Sequence, residues 1–216
     1  NGFCFSVCLF SCFNRIIRFF LMKKKIVILG STGSIGNTLI NIIKKNKEKF
    51  KILLLSADRD YLSLFKQAKL FNVKHLIITN KNSYELLKIK CKKNKINVYN
   101  NFDDLEKILK SKIDYTMSAI TGIEGLKPTI KLIKFSKKIA IANKESIICG
   151  WNIIKNELKK FNTKFIPVDS EHFSLWYALK NINHQKIAKI YLTASGGPLL
   201  NLPIYKLKNV NINQAL

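Results

Sequence analysis

Three glycines, at positions 30, 33 and 36 of the segment 25–36 (KIVILGSTGSIG), carry the clearest chemistry in this chain. An apolar strand runs into glycines spaced three apart and then into a helix, the arrangement by which a backbone holds a diphosphate. The first glycine permits the tight turn, the second lets the backbone approach the phosphates, and the third lets the helix pack against its strand. Amide groups at the helix start and the positive end of its dipole then face the anion. The flanks agree: Ile26, Val27, Ile28 and Leu29 are apolar and mostly β-branched, and Leu39, Ile40, Ile42 and Ile43 form a helical stripe. The alternative is a glycine turn without a ligand.

Residues 56–60 (SADRD) end the next expected strand. In a dinucleotide fold this position meets the adenosine ribose, where a carboxylate favours a free 2′-hydroxyl and an arginine accommodates a 2′-phosphate. Arg59 argues for NADPH, and Asp58 and Asp60 weigh against it. A solvated charged turn is the bland reading.

Three further segments put polar side chains at strand ends. In 140–146 (AIANKES), Asn143 can cap a helix and Glu145 can sit in its first turn. Lys144 is then oddly placed near the positive end of the dipole, which an anionic ligand explains better. In 165–172 (FIPVDSEH), Asp169 and Glu171 offer two carboxylates at i and i+2, oxygen donors suited to a hard cation such as Mg²⁺ or Mn²⁺. A plain helix N-terminus at Ser170 and Glu171 is the alternative, and His172 reads as a local hydrogen-bonding residue. In 192–198 (LTASGGP), Ser195 and two glycines make a cradle for a phosphate, or an ordinary turn.

The elements that must position these residues alternate between apolar runs and lysine-rich helical stretches, the mark of a parallel sheet with helices on its faces. Strands are expected at 25–29, 51–56, 74–79, 95–98, 113–118, 137–142, 163–168 and 187–193, and helices near 35–47, 60–71, 82–93, 102–110, 122–134, 144–161 and 171–180. The fold class is α/β: a Rossmann-type parallel-sheet cofactor domain over 22–150, followed over 151–216 by the beginning of an α/β catalytic domain. Residues 199–216 have loop character, and the chain reads as truncated.

The 216 residues suffice for one large or two small domains with a real core. A net charge of +25, from 38 basic and 13 acidic residues, would ordinarily suggest nucleic acid. The lysines are instead spread over nearly every expected helix, which fits solvated positions and leaves only a modest attraction for anionic substrates. The five cysteines form no paired metal spacing, and a reducing cytoplasm is the simpler reading. Residues 1–21 differ from all that follows, rich in Phe, Cys, Leu and Ile without one acid, and Met22 stands where a natural start would be. They read as an upstream translated or mis-assigned extension, with a targeting segment as the second reading. A membrane anchor is disfavoured by Asn14, Arg15 and Arg18.

Taken in order, the segments 30–36, 142–146, 167–172 and 195–198 resemble the 1-deoxy-D-xylulose 5-phosphate reductoisomerase family, from about Lys24 to the end of the chain. The resemblance implies an NADPH-dependent enzyme of bacterial, cytoplasmic type that also needs a divalent cation, Mg²⁺, Mn²⁺ or Co²⁺. Such an enzyme rearranges and reduces 1-deoxy-D-xylulose 5-phosphate to 2-C-methyl-D-erythritol 4-phosphate in non-mevalonate isoprenoid synthesis. It implies coenzyme contacts from Thr32, Gly33, Ser34, Ile35, the turn Asp58, Arg59 and Asp60, Asn143 and Glu145. Lys144, Ser170, Glu171 and Ser195 would contact a small phosphorylated sugar, Asp169 and Glu171 would hold the metal, and Lys144, Asp169 and Glu171 would be catalytic. The partners implied are that substrate and, for the full-length enzyme, a second copy, with no nucleic acid and no membrane.

The family usually carries glycine and asparagine where Asp58 and Asp60 stand, and residues 173–179 also depart from its pattern. A third metal carboxylate, a lid loop and a C-terminal helical domain are not evident, so the expectation is an N-terminal portion inactive by itself. The competing readings are another Rossmann-type NADP-dependent dehydrogenase, which should show a catalytic cysteine or histidine in context, and a basic nucleotide- or RNA-binding module, which should bind RNA with strong salt dependence.

Overall fold

The computed structural model describes residues 23–180, 182, 187–191 and 197–215. Among them, seven strands form one parallel sheet: β1 (Lys24–Leu29), β2 (Phe50–Ala57), β3 (His75–Ile78), β4 (Asn97–Tyr99), β5 (Tyr115–Ser118), β6 (Lys138–Ile141) and β7 (Lys164–Pro167). Their spatial order is β4-β3-β2-β1-β5-β6-β7. The chain builds outward from β1 to β4 and then returns to the other side of β1 for β5. That reversal leaves a crevice beyond the carboxyl ends of the central strands, the place where open parallel sheets bind ligands. The intervening helices are α1 (Ser34–Lys44), α2 (Tyr61–Phe71), α3 (Lys81–Cys91), α4 (Leu105–Ile108), α5 (Leu126–Ile133) and α6 (Lys144–Phe161).

Burial on both faces explains why the strands read as near-continuous apolar runs. Successive β1 side chains alternate between two cores: Ile26 and Ile28 pack with Ile40 and Ile43 of α1 and Leu64 of α2. Val27 and Leu29 pack with Phe102, Leu105 and Leu132. In β2 the alternation slips. Ile26 pairs with Ile52 but Val27 pairs with Leu54, so the register shifts by one residue, and Ile52 and Leu55 share a core despite their odd spacing. A third core joins Ile139 and Ile141 of β6 to Ile133 of α5 and Ile154 and Leu158 of α6.

Two compact units divide at Asp169/Ser170. Residue 150, where a boundary was expected, lies inside the unbroken helix α6, whose buried side is Ser146, Gly150, Ile154 and Leu158. The second unit, Ser170–Leu216, contains α7 (Ser170–Leu179), short 3₁₀ segments at Gly197–Leu199 and Ile204–Asn209, and α8 (Ile212–Ala215). The strand expected at 187–193 does not form over 187–191, which carry no regular structure. Residues 192–193 lie outside the described residues, as does the extension at 1–21. The helix expected at 102–110 contracts to the single turn α4, with Phe102, Leu105 and Leu109 all buried in the core that holds Val27 and Leu29. Among the described residues no helix is long and apolar enough to cross a membrane.

Candidate functional site

A cavity of about 680 Å³ opens beyond the carboxyl ends of β1 to β5. Gly30, Thr32 and Gly33 of the β1–α1 turn form one wall, and Ser56, Ala57 and Asp58 at the end of β2 form the next. Thr79 and Asn100 continue it after β3 and β4, while Ala119, Ile120 and the start of α5 face them.

The glycine turn is built for close approach. Gly30 adopts φ +70°, and a Cβ there would lie 2.5 Å from the Ala119 carbonyl oxygen, so only glycine lets β1 and β5 come together at this point. A Cβ on Gly36 would collide with the Gly30 carbonyl and lie 2.6 Å from the Ser31 Cα, which is why helix and turn can touch. Gly33 differs. A Cβ there meets only the Gly30 oxygen, at 3.4 Å, leaving its outer side open toward the cavity. Helix α1 begins after Gly33 with no side-chain cap, whereas Asp60, Asn80 and Asn143 cap α2, α3 and α6. Amide donors at the start of α1 are thus left for another acceptor, which fits the diphosphate of a dinucleotide.

Two residues fix this turn in place. The Ser56 hydroxyl accepts from the Gly30 N–H at 3.1 Å while its carbonyl accepts from the Ser31 N–H at 2.8 Å. Gln67 of α2, 7% exposed, accepts from the Ser31 hydroxyl at 2.7 Å and donates to the Ser31 carbonyl and to Asn37 Oδ1, both at 3.0 Å. Gln67 was not anticipated from sequence, although a signal exists: it occupies a core position of the α2 stripe, between Leu64 and Ala68. Thr79, Asn100 and the Lys131–Asp103 ion pair at the cavity edge were also missed. The hydrogen bond from Lys131, reinforced by its charge, holds the Asp103 carboxyl below its ordinary range.

Thr32 and Gly33 line the cavity; Ser34 and Ile35 open α1, and Ile35 is 42% exposed. In the charged turn after β2 it is Asp58 that lines the cavity. Its Oδ1 accepts from the Thr79 hydroxyl at 2.7 Å and its Oδ2 lies 3.3 Å from Arg59 Nε. Asp60 is engaged as the cap of α2, accepting from the Ser63 N–H at 2.9 Å.

Asn143 is buried and joins the start of α6 to the loop between β5 and α5. Its oxygen caps α6 by accepting from the Ser146 N–H at 2.6 Å, and its amide donates to the Ile120 carbonyl and, at 2.5 Å, to the Gly122 carbonyl. Lys144 and Glu145 follow, exposed, in the first turn of α6. Asp169, the last residue of the first unit, has a fully buried Oδ2; Glu171 is exposed in the first turn of α7. Both offer hard oxygen donors of the kind a divalent cation takes. Among the described residues no three His, Cys, Asp or Glu side chains gather as a metal site. Ser195 lies outside the described residues.

Family models for 1-deoxy-D-xylulose 5-phosphate reductoisomerase and for its C-terminal domain match residues 26–150 and 165–216. The reductoisomerase of Pelagibacter ubique is 55% identical over 195 residues, covering 89% of this chain and 50% of that protein. The one from Wolbachia pipientis of Culex pipiens is 39% identical over 194 residues, covering 89% and 49%. Among solved structures, the Zymomonas mobilis reductoisomerase in complex with NADPH superposes with a TM-score of 0.74 at 30% identity, covering 86% of this chain and 49% of that one. A reductoisomerase in complex with NADPH, fosmidomycin and magnesium gives 0.72 at 27% identity, covering 89% and 50%. This chain therefore spans about half the length of the relatives it matches. With both family models in chain order, at residues 26–150 and 165–216, the chain belongs to the 1-deoxy-D-xylulose 5-phosphate reductoisomerase family.

Proposed function

We propose that the chain provides the coenzyme cleft and the first part of the catalytic site of a reductoisomerase that converts 1-deoxy-D-xylulose 5-phosphate to 2-C-methyl-D-erythritol 4-phosphate. The observation that carries this reading is the uncapped start of α1 beside Gly33, opening on the 680 Å³ cavity at the sheet's reversal point. When bound, NADPH supplies the hydride and a divalent cation supplies positive charge opposite the substrate's oxygens.

The residues of the chain then have distinct tasks. Backbone N–H groups of Thr32, Ser34 and Ile35 bind the diphosphate, and the open side of Gly33, whose own N–H donates to the Gly30 carbonyl at 3.1 Å, lets it come close. The turn at Asp58 and Arg59 meets the ribose. Asn143 acts as a positioning residue, since its side chain is taken up by the Ile120 and Gly122 carbonyls and the Ser146 N–H. By capping α6 it sets the direction of Lys144 and Glu145. Lys144 offers its ammonium to an anionic substrate, and Glu145 faces the coenzyme. Asp169 and Glu171 supply oxygen donors for the cation, and Ser170 and Ser195 contact the phosphorylated sugar.

Fluorescence titration of the 216-residue chain with NADPH tests the reading at its base. Saturable binding that is lost when the diphosphate turn is altered supports it. No binding at millimolar nucleotide overturns it.

A further inference from the structure

Three residues of the β2–α2 turn have separate fates: Asp60 is spent on capping α2, Arg59 is 81% exposed at its side chain, and Asp58 is the one that lines the cavity. We propose that Asp58 is a coenzyme-specificity residue, and that its carboxylate narrows the chain's preference for NADPH over NADH. The proposal rests on the coenzyme reading above and concerns only the adenosine end of the cleft.

The geometry gives Asp58 two effects of one sign. Its Oδ2 lies 3.3 Å from Arg59 Nε, so the cation that would meet a 2′-phosphate is already partly neutralised by its neighbour. Its Oδ1 is held by the Thr79 hydroxyl at 2.7 Å, which fixes the carboxylate at the end of β2. A carboxylate at that place accepts hydrogen bonds from a free 2′-hydroxyl and repels a 2′-phosphate. Arg59 keeps its terminal nitrogens for the phosphate, so NADPH still binds the better of the two. The margin is what Asp58 reduces.

The substitution Asp58→Asn separates charge from shape. Asparagine keeps an oxygen to accept from Thr79, and the ion pair it removes is exposed on both sides, 81% and 65%, so the fold does not depend on it. Calorimetric titration of the parent chain, Asp58→Asn and Arg59→Ala with NADPH, NADH, 2′,5′-ADP and 5′-AMP gives the answer without any turnover. The expected result is an affinity of Asp58→Asn for NADPH and 2′,5′-ADP raised about tenfold, with NADH and 5′-AMP unchanged or weakened. Arg59→Ala should lose affinity for the two 2′-phosphorylated ligands alone. Unchanged or weaker NADPH binding by Asp58→Asn, with the parent chain binding normally, overturns the proposal and leaves the coenzyme reading standing. Failure of the parent chain to bind either dinucleotide overturns both.

Discussion

Gln67 and Ser31 close two hydrogen bonds on each other, side chain to side chain at 2.7 Å and Gln67 amide to Ser31 carbonyl at 3.0 Å, both buried. The pair joins α2 to the glycine turn, and the remaining amide hydrogen reaches Asn37 of α1 at 3.0 Å. One side chain thus ties the turn to the helices on either side of it.

Replacing Gln67 with leucine keeps the volume and strands the buried Ser31 hydroxyl and carbonyl. Each stranded group costs about 1–3 kcal/mol. Thermal unfolding of Gln67→Leu is expected roughly 5–10 °C below the parent, with weaker NADPH binding at temperatures where it is folded. An unchanged melting temperature would show that the turn holds its shape without this contact.

The glycines should separate fold from binding. Gly36→Ala forces a methyl into the Gly30 carbonyl and Ser31, so both melting temperature and NADPH affinity should drop. Gly33→Ala meets only one oxygen, at 3.4 Å, and Gly33 has φ −74° with extended ψ, which any residue can adopt. Its stability should stay within ~0.5 kcal/mol of the parent. NADPH affinity should nonetheless fall, because the methyl occupies the side from which phosphates approach. Equal NADPH affinity in Gly33→Ala and the parent would place the diphosphate elsewhere.

How far the sequence foretold this arrangement depended on the range of the interactions involved. The β1 run at residues 26–29 and the glycine spacing are local signals, and both led to the observed strand–turn–helix. Continuous apolar runs also gave the other six strands, because parallel strands buried on both faces have to be apolar throughout. What was missed is held by long-range contacts. Gln67 meets Ser31 across 36 positions, and the slip at Leu53 depends on pairing with β1. The turn at 58–60 was legible as a charged turn where a ribose would lie, but not in its division of labour. Which of its residues caps α2 and which lines the cavity is decided by where α2 starts and where Thr79 lies. Residues 187–191 have strand composition but gain no partner strand among the described residues, and composition alone does not make a ladder.

The proposed cation donors, Asp169 and Glu171, can be tested without substrate. Two carboxylates leave most of a divalent ion's coordination to water, so Mn²⁺ binding is expected to be weak. Asp169→Asn combined with Glu171→Gln should abolish the calorimetric Mn²⁺ signal of the 216-residue chain while leaving NADPH affinity intact. A Mn²⁺ isotherm unaltered by the double substitution removes both residues from the metal site.

Acid stability should depend on a contact at the opposite edge of the sheet. The Asp114 carboxylate, just ahead of β5, accepts from the Lys25 N–H at 2.8 Å and lies 2.8 Å from Lys137 Nζ, joining the starts of β1 and β6. Burial alone would raise the Asp114 carboxyl, but the Lys137 hydrogen bond, the Lys25 N–H and the two lysine charges outweigh it and hold it below the ordinary 3.8. A carboxyl lowered by folding adds stability that is fully present above its unfolded value and is lost as pH falls through the lower, folded value. The Lys137 side chain is 60% exposed, so solvent screening limits the contribution to about 1 kcal/mol. Asp114→Asn should therefore be less stable than the parent by that amount near pH 7, measured by urea unfolding. The difference should begin to shrink as pH falls below about 4, the unfolded value, and close only below the lower folded value, where the native carboxylate takes up its proton. A difference that stays constant down to pH 2 would mean that shape at this junction, and not the charge of Asp114, holds the strands together.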